Sequence, residues 1–289
     1  MTAAGTGADW WGTEDVCVRF GDTVALGHVS FRAEPGQVSA VVGGDGAGRT
    51  TLLRCLAGAL APASGRVQRP AALATGYLSA GSGTYPDLSV AENLAFRAAA
   101  YRIPPETARQ RGAELLARAG LDQATGRLAG QLSGGMRQKL GVIAAMLHHP
   151  DLLVLDEPTT GVDPVSRAGL WWLIARAAAD GAAVVLATSY LDEAERAHNV
   201  LVLDAGSELA SGTPEQIAAA MRGTLTVAGT RPGGEAGRRA WRREGRWRVW
   251  DPGDGTAHGA PVRPDLQDAV TVAALARELA RAGAGQESR

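Results

Sequence analysis

The sequence holds only two cysteines, Cys17 and Cys55, in 289 residues. That number suggests neither a disulfide framework nor a metal site, and a reducing cytosol is expected. No apolar run approaches the ~18 residues of a membrane-spanning helix. Residues 1–14 lack a basic stretch followed by an apolar one, so no signal peptide is expected. Excess charge is missing too. The formal net charge is −1, which excludes a generally basic nucleic-acid binder. Lysine is nearly absent: 28 of the 29 basic side chains are arginine, and Lys139 stands alone. Alanine and glycine are abundant, so this is a bias of the whole chain. An arginine found where chemistry uses lysine has to be weighed against it. What is present is globular material: 45% apolar and 20% charged residues, enough to bury a core.

The order of elements is readable. Asp15–Phe20 roughly alternates as a strand should, and Leu26–Phe31 is a second strand after which Pro35-Gly36 turns the chain. Val38–Val42 is an apolar strand that enters a glycine-rich loop, Gly43–Gly48, ahead of a helical segment Thr50–Leu60. Residues 80–150 read mostly helical. One helix follows Pro104-Pro105 and ends near Gly120, with Leu115, Leu116 and Ala119 on one face; another starts near Ser133. Leu152–Leu155, Ala182–Ala187 and Val200–Leu203 are short buried strands, and Asp163-Pro164 and Thr213-Pro214-Glu215-Gln216 are helix starts. Alternating strands and helices predict an α/β domain on a largely parallel sheet. Composition turns rich in Gly and Arg after about Arg222, and residues 264–283 read as a helix. The expected division is a tail at 1–13, a main domain at 14–222 with its helical part near 80–150, a small β-plus-helix domain at 223–283, and a disordered tail at 284–289.

Gly43-Gly-Asp45-Gly46-Ala47-Gly48-Arg49-Thr50-Thr51 fits a phosphate-binding loop at every fixed position but one. Glycines let backbone N–H groups cradle phosphate, and the helix that follows aims its positive end at the same anion. Arg49 stands where the pattern has lysine. Further on come Leu132-Ser133-Gly134-Gly135-Met136-Arg137-Gln138 and Leu152-Leu-Val-Leu-Asp156-Glu157-Pro158, then Thr160-Gly-Val-Asp163-Pro164. With these strings the chain resembles the ATP-binding subunits of ABC transporters, over residues 15–220. The first looks like the ABC signature, the second like the Walker B strand, the third like the D-loop. Tyr85-Pro-Asp-Leu-Ser-Val-Ala-Glu-Asn and Tyr190-Leu-Asp-Glu-Ala-Glu look like the drug- and antibiotic-exporter branch.

The resemblance implies an α/β P-loop NTPase fold of the ABC ATPase type, with a helical subdomain and a small C-terminal β-plus-helix domain. It implies ATP and Mg²⁺ as ligands. Thr50 and Asp156 would hold the metal, Asp156 through water, and Glu157 would orient the attacking water. Phe20 would stack on adenine, although an ordinary core position is the competing reading. Family members pair head to tail, so Ser133, Gly134, Gly135, Gln138 and Asp163 would serve a nucleotide held by the opposite subunit. The implied partners are a separate transmembrane permease and a second nucleotide-binding subunit, at the cytoplasmic face of the membrane.

Three positions depart from the family. Arg49 replaces the phosphate-loop lysine, Ala80 stands at the Q-loop glutamine, and Ser189 at the switch histidine. The arginine bias accounts for the first but not for the others. Ala80 cannot position metal or water. Ser189 offers a neutral hydrogen bond in place of an imidazole, which should slow hydrolysis by about 10²-fold or more. All three act on this chain's own nucleotide, while the strings that serve a partner's nucleotide are intact. The expectation is an asymmetric pair in which this chain lends its signature and turns over its own ATP slowly. A non-hydrolysing regulatory or structural subunit is the alternative. A soluble ABC protein acting on RNA or DNA is a third reading, supported only by the Arg/Trp run of Arg238–Trp250, and nucleic acid is not expected as a partner. That run is read instead as a hairpin with Trp247 and Val249 inward and Arg246 and Arg248 solvated. Trp171 and Trp172 are expected to pack, His148-His149 to lie at a helix end where cations are favoured, and Trp10-Trp11 has no assigned role.

Overall fold

A computed structural model describes residues 9–253, 255 and 259–287; the outermost parts of both expected tails, 1–8 and 288–289, lie outside them. The chain forms two compact units, Met1–Glu208 and Leu209–Arg289, so the division falls before the compositional shift at Arg222.

In the first unit, β1 (Trp11–Phe20) and β2 (Thr23–Ala33) form an antiparallel pair. β1 begins before the Asp15 expected from alternation, because Trp11 is buried and pairs with Ala33. Trp10 lies under the Arg32 guanidinium, 4.5 Å from its ring centroid. The two tryptophans therefore anchor the start of the strand. β3 (Val38–Gly43) leads into α1 (Arg49–Leu56), and β4 (Ser64–Gln68) adds to the free edge of β1. β5 (Thr75–Leu78) precedes a helical region made of α2 (Val90–Ala100), α3 (Pro105–Ala119) and α4 (Gly134–Met146). Then follow β6 (Leu152–Asp156), α5 (Pro164–Ala179), β7 (Ala183–Thr188), α6 (Leu191–Ala194), β8 (Asn199–Asp204) and β9 (Ser207–Gly212), the last running on into the second unit.

The central sheet has the order β5-β6-β7-β3-β8-β9. β5 through β8 are parallel, as the βα alternation requires. β6 and β7 are buried along their whole length, which is why they read as unbroken apolar runs. α1 lies between this sheet and the smaller β2-β1-β4 sheet. Its Leu52, Leu53 and Leu56 are fully buried against Val16, Leu26 and Val29 on one side and Leu152, Val154 and Val185 on the other. Each such leucine contributes about 2 kcal/mol, so the first helical turn, Arg49–Thr51, is held by a packed stem.

Local signals set the helix starts. Ser89 caps α2 in a reciprocal box with Glu92, and the Asn93 amide ties the preceding loop to Tyr85, Leu88 and Ser89 carbonyls at 2.9–3.1 Å. Ser133 caps α4, and Asp163 caps α5 with Pro164 at the first position. Leu116 and Ala119 of α3 are buried as expected, while Leu115 is half-buried. Lys139 on α4 donates to the Ala119 carbonyl at 3.2 Å, and its Nζ would lie 3.2 Å from a side chain at Gly169. It is therefore wedged where α3, α4 and α5 meet. Trp171 is buried, but Trp172 is 42% exposed and lies under Arg118 rather than in the core. His148 stacks on Tyr101 at 3.7 Å, and burial pushes its pKa down to about 4. It is neutral, not the helix-end cation the sequence suggested.

The second unit contains α7 (Pro214–Ala219), β10 (Thr224–Ala228), α8 (Gly234–Arg238), β11 (Ala240–Arg243), β12 (Arg246–Asp251), β13 (Ala260–Pro261) and α9 (Leu266–Glu287). Thr213 caps α7 in the box read from the sequence. The antiparallel sheet has the order β11-β12-β10-β13, and Leu225, Trp250 and Val272 make its core. Val249 is buried as the hairpin reading required. Arg248 is not solvated: its side chain is 14% exposed and faces the buried Asp268 at 3.8 Å, beside Arg243, which binds Asp268 at 3.1 Å and Asp265 at 2.6 Å. Asp268 lies in the first turn of α9 and Asp265 just ahead of it. α9 also continues to Glu287, into the stretch 284–289 expected to be a disordered tail.

Candidate functional site

The site lies at the carboxyl edge of the parallel sheet, where open α/β sheets bind ligands. β3 ends in Gly43, where a side chain would come within 2.4 Å of the Leu203 carbonyl oxygen. Gly46 and Gly48 have φ of 76° and 103°, and a side chain at Gly48 would overlap the Ala25 carbonyl oxygen at 2.7 Å. Only glycine fits there. Gly48 caps α1 with no side-chain acceptor, and no acidic residue stands in its first turn. The first N–H groups of α1 are therefore open to an anion. Asp45 is fully exposed; Ala47 is buried and fixes the loop by donating to Gly44 at 3.1 Å.

β6 delivers Asp156 and Glu157 to the same edge. Asp156 is buried beside the Thr50 side chain, and its Oδ2 has no hydrogen-bond partner. Burial raises the Asp156 pKa. A buried carboxylate with an open oxygen, next to a threonine hydroxyl, suits a hard divalent cation. These two residues fit Mg²⁺. Glu157 is held in a left-handed backbone conformation, φ 50°, with its N–H bonded to the Ala187 carbonyl at 3.0 Å. Its Oε1 accepts from Arg49 Nη1 and its Oε2 from the Thr160 hydroxyl at 2.6 Å. Thr160, which the sequence showed only as the first residue of the Thr160–Pro164 string, is thus the residue that fixes the second Glu157 oxygen.

Ser189 emerges exposed just beyond β7, and Ala80 lies exposed just past β5. Both therefore stand at the carboxyl edge of the sheet. Phe20 is 52% exposed at the end of β1, so its ring is available and is not a core residue. The signature stands on α4. Ser133 accepts from Met136 N–H at 3.2 Å, and Gly134 is exposed. Arg137 pins the loop from behind by donating to the Ala129 and Leu132 carbonyls, each at 3.2 Å. Gly135 is buried against Ser166 and Val162. Gln138 departs from expectation. It lies on the inner side of α4, 8% exposed, with Nε2 3.5 Å from the Glu157 carbonyl oxygen. It supports its own chain's Glu157. Asp163 is held by backbone N–H groups of Val165 and Ser166, at 3.0 and 2.9 Å, which lower its pKa.

A family profile described as ABC transporter matches residues 26–160. The Nod factor export ATP-binding protein I of Cupriavidus metallidurans is 36% identical over 209 residues, covering 68% of this chain and 69% of that protein. The chain belongs to the ABC transporter ATP-binding family. This family binds ATP, with Mg²⁺, and hydrolyses it. The daunorubicin resistance ATP-binding protein DrrA3 of Streptomyces coeruleorubidus is 35% identical, covering 76% of this ABC chain and 73% of its own. A probable multidrug ABC transporter ATP-binding protein of Escherichia coli K12, YbhF, is 41% identical over 212 residues, but these span 37% of its length. Among solved structures, an ATP binding subunit of an ABC transporter aligns with TM-score 0.67 at 26% identity, over 72% of this chain and 91% of that one. The ABC reading thus holds for both sequence and fold.

Proposed function

We propose that the chain is the ATP-binding subunit of an exporter-type ABC transporter, bound peripherally to a separate membrane-spanning permease on the cytoplasmic side. Support comes from relatives named for Nod factor export, daunorubicin resistance and multidrug transport. No helix among the described residues is long and apolar enough to cross a membrane. A permease on another chain is therefore part of the proposal.

In this reading, residues 43–51 hold the phosphates of ATP. Thr50 and Asp156 hold Mg²⁺, which neutralises phosphate charge when bound. Glu157 orients and polarises water, and Phe20 stacks on adenine. The chain works in an asymmetric pair. Ser133, Gly134, Gly135 and Asp163 serve ATP held by a second nucleotide-binding subunit, and this chain's own site turns over slowly. The observation that supports slow turnover is that Ala80 and Ser189, which offer neither an amide nor an imidazole, stand exposed at the carboxyl edge of the sheet, while Thr160 holds one Glu157 oxygen. The same observation favours a non-hydrolysing regulatory subunit as the second reading.

The test is to purify the chain from its own membranes in mild detergent. A permease should come with it, together with a second ATP-binding subunit bearing Lys, Gln and His at the three altered positions. Recovery with two copies of this chain alone overturns the asymmetric pair. The isolated chain should hydrolyse ATP well below the order of 1 s⁻¹. The triple change Arg49→Lys, Ala80→Gln and Ser189→His should raise that rate by about 10²-fold. An unchanged rate removes these residues as the cause.

A further inference from the structure

We propose that Arg49 is a shared ligand, for which the Glu157 carboxylate and the nucleotide phosphates compete, so that binding nucleotide and releasing Glu157 are one exchange. This rests on the reading of residues 43–51 as the phosphate site. Arg49 is the first residue of α1, directly after the uncapped Gly48, so any phosphate at that helix end lies against its backbone. Its side chain is 10% exposed and turns to Glu157, itself 20% exposed. Asp45 is a weak alternative partner, 3.9 Å away and fully exposed. The far oxygen of Glu157 is fixed by Thr160 at 2.6 Å, and its backbone by Ala187 at 3.0 Å. Glu157 therefore cannot follow Arg49 toward a phosphate; the pair must separate. Lysine would be a compact, strongly hydrated charge on a flexible stem, whereas the guanidinium fork suits a carboxylate in a largely dry site. The substitution at position 49 thus gives the chain an internal competitor for its own nucleotide. A carboxylate held this way is not free to orient water, and nucleotide phosphate is the group that frees it.

The experiment measures Mg²⁺-ADP affinity by calorimetry on dilute isolated chain, with no turnover to complicate it. Glu157→Gln should tighten ADP by about tenfold, since the pair is partly buried and its loss leaves Arg49 for the phosphate. In an Arg49→Gln background the same change should leave affinity within about twofold. An equal gain in both backgrounds overturns the exchange, because it means only that a negative charge was removed near phosphate. No gain in the Arg49 background overturns it as well. Thr160→Val is an independent arm that loosens Glu157 and should tighten ADP by about threefold; an unchanged affinity there also counts against it. If neither the parent chain nor any variant binds ADP or ATP, the nucleotide reading itself falls. Binding by the parent with no coupling between positions 49 and 157 sinks only the exchange.

Discussion

The loops ahead of α1 and α4 are built from similar parts, glycines at a helix N-terminus, yet their caps and contacts differ. At α1 the cap is a bare glycine and the first side chain, Arg49, turns inward to Glu157. At α4 the cap is Ser133, the loop is tied from behind by Arg137, and Gly134 is exposed. One end leaves its N–H groups open but engages its first side chain within the chain. The other is braced and open. The difference teaches that one altered residue in a motif can engage a distant neighbour, as Arg49 does Glu157, while an unaltered loop is braced by local backbone contacts, such as those of Arg137.

The largest expected effect tests how far each loop depends on glycine. Gly48→Ala puts a side chain at φ 103° and against the Ala25 carbonyl oxygen at 2.7 Å. It should cost about 4 kcal/mol in urea unfolding, as backbone strain and overlap add. Gly134→Ala meets nothing within 4 Å and should cost less than about 0.5 kcal/mol. Equal losses would break the comparison.

A second test concerns what supports α4 from its far end. His148 has its pKa pushed down to about 4 from an ordinary 6.5. The unfolded chain takes up a proton below pH 6.5 that the folded chain refuses. Stability should therefore fall as pH drops from 6.5 to 4, by about 3 kcal/mol at most, with no contribution from this group above 6.5. His148→Phe, which keeps a ring against Tyr101, should flatten that part of a urea-midpoint profile. An unaltered slope assigns it to other groups.

The smallest effect is the cap itself. Ser133→Ala should cost about 1 kcal/mol and Ser133→Thr a few tenths. A loss no larger for Ala than for Thr would mean that the signature loop holds its shape without Ser133.

Much of this was readable in order along the chain because the signals are local. Val38–Val42, Leu152–Leu155, the Asp163-Pro164 start and the Thr213 box each depend on residues within a turn of one another, and all became the elements they suggested. β5 was not read as a strand. Its four residues include Gly76, which is needed because a side chain there would lie 2.2 Å from the Ala145 carbonyl oxygen. That requirement belongs to α4, not to β5. The site divided in the same manner. Glycines, Thr50, Asp156 and Glu157 were legible as strings. The Arg49–Glu157 pair spans 108 positions and the Arg243–Asp268 pair joins a strand to a later helix, so neither has a local signature. Gln138 belongs to a legible string but sits on the inner side of its helix, which only packing decides.

Lys139 has a practical consequence. It carries the chain's one ε-amine, and that amine is bonded to Ala119 at the junction of α3, α4 and α5. Among side-chain amines, an acylating reagent therefore reports on a single place. Its rate at Lys139 follows how often the half-buried amine leaves the Ala119 carbonyl, and a change on adding nucleotide would report on that junction without any engineered label.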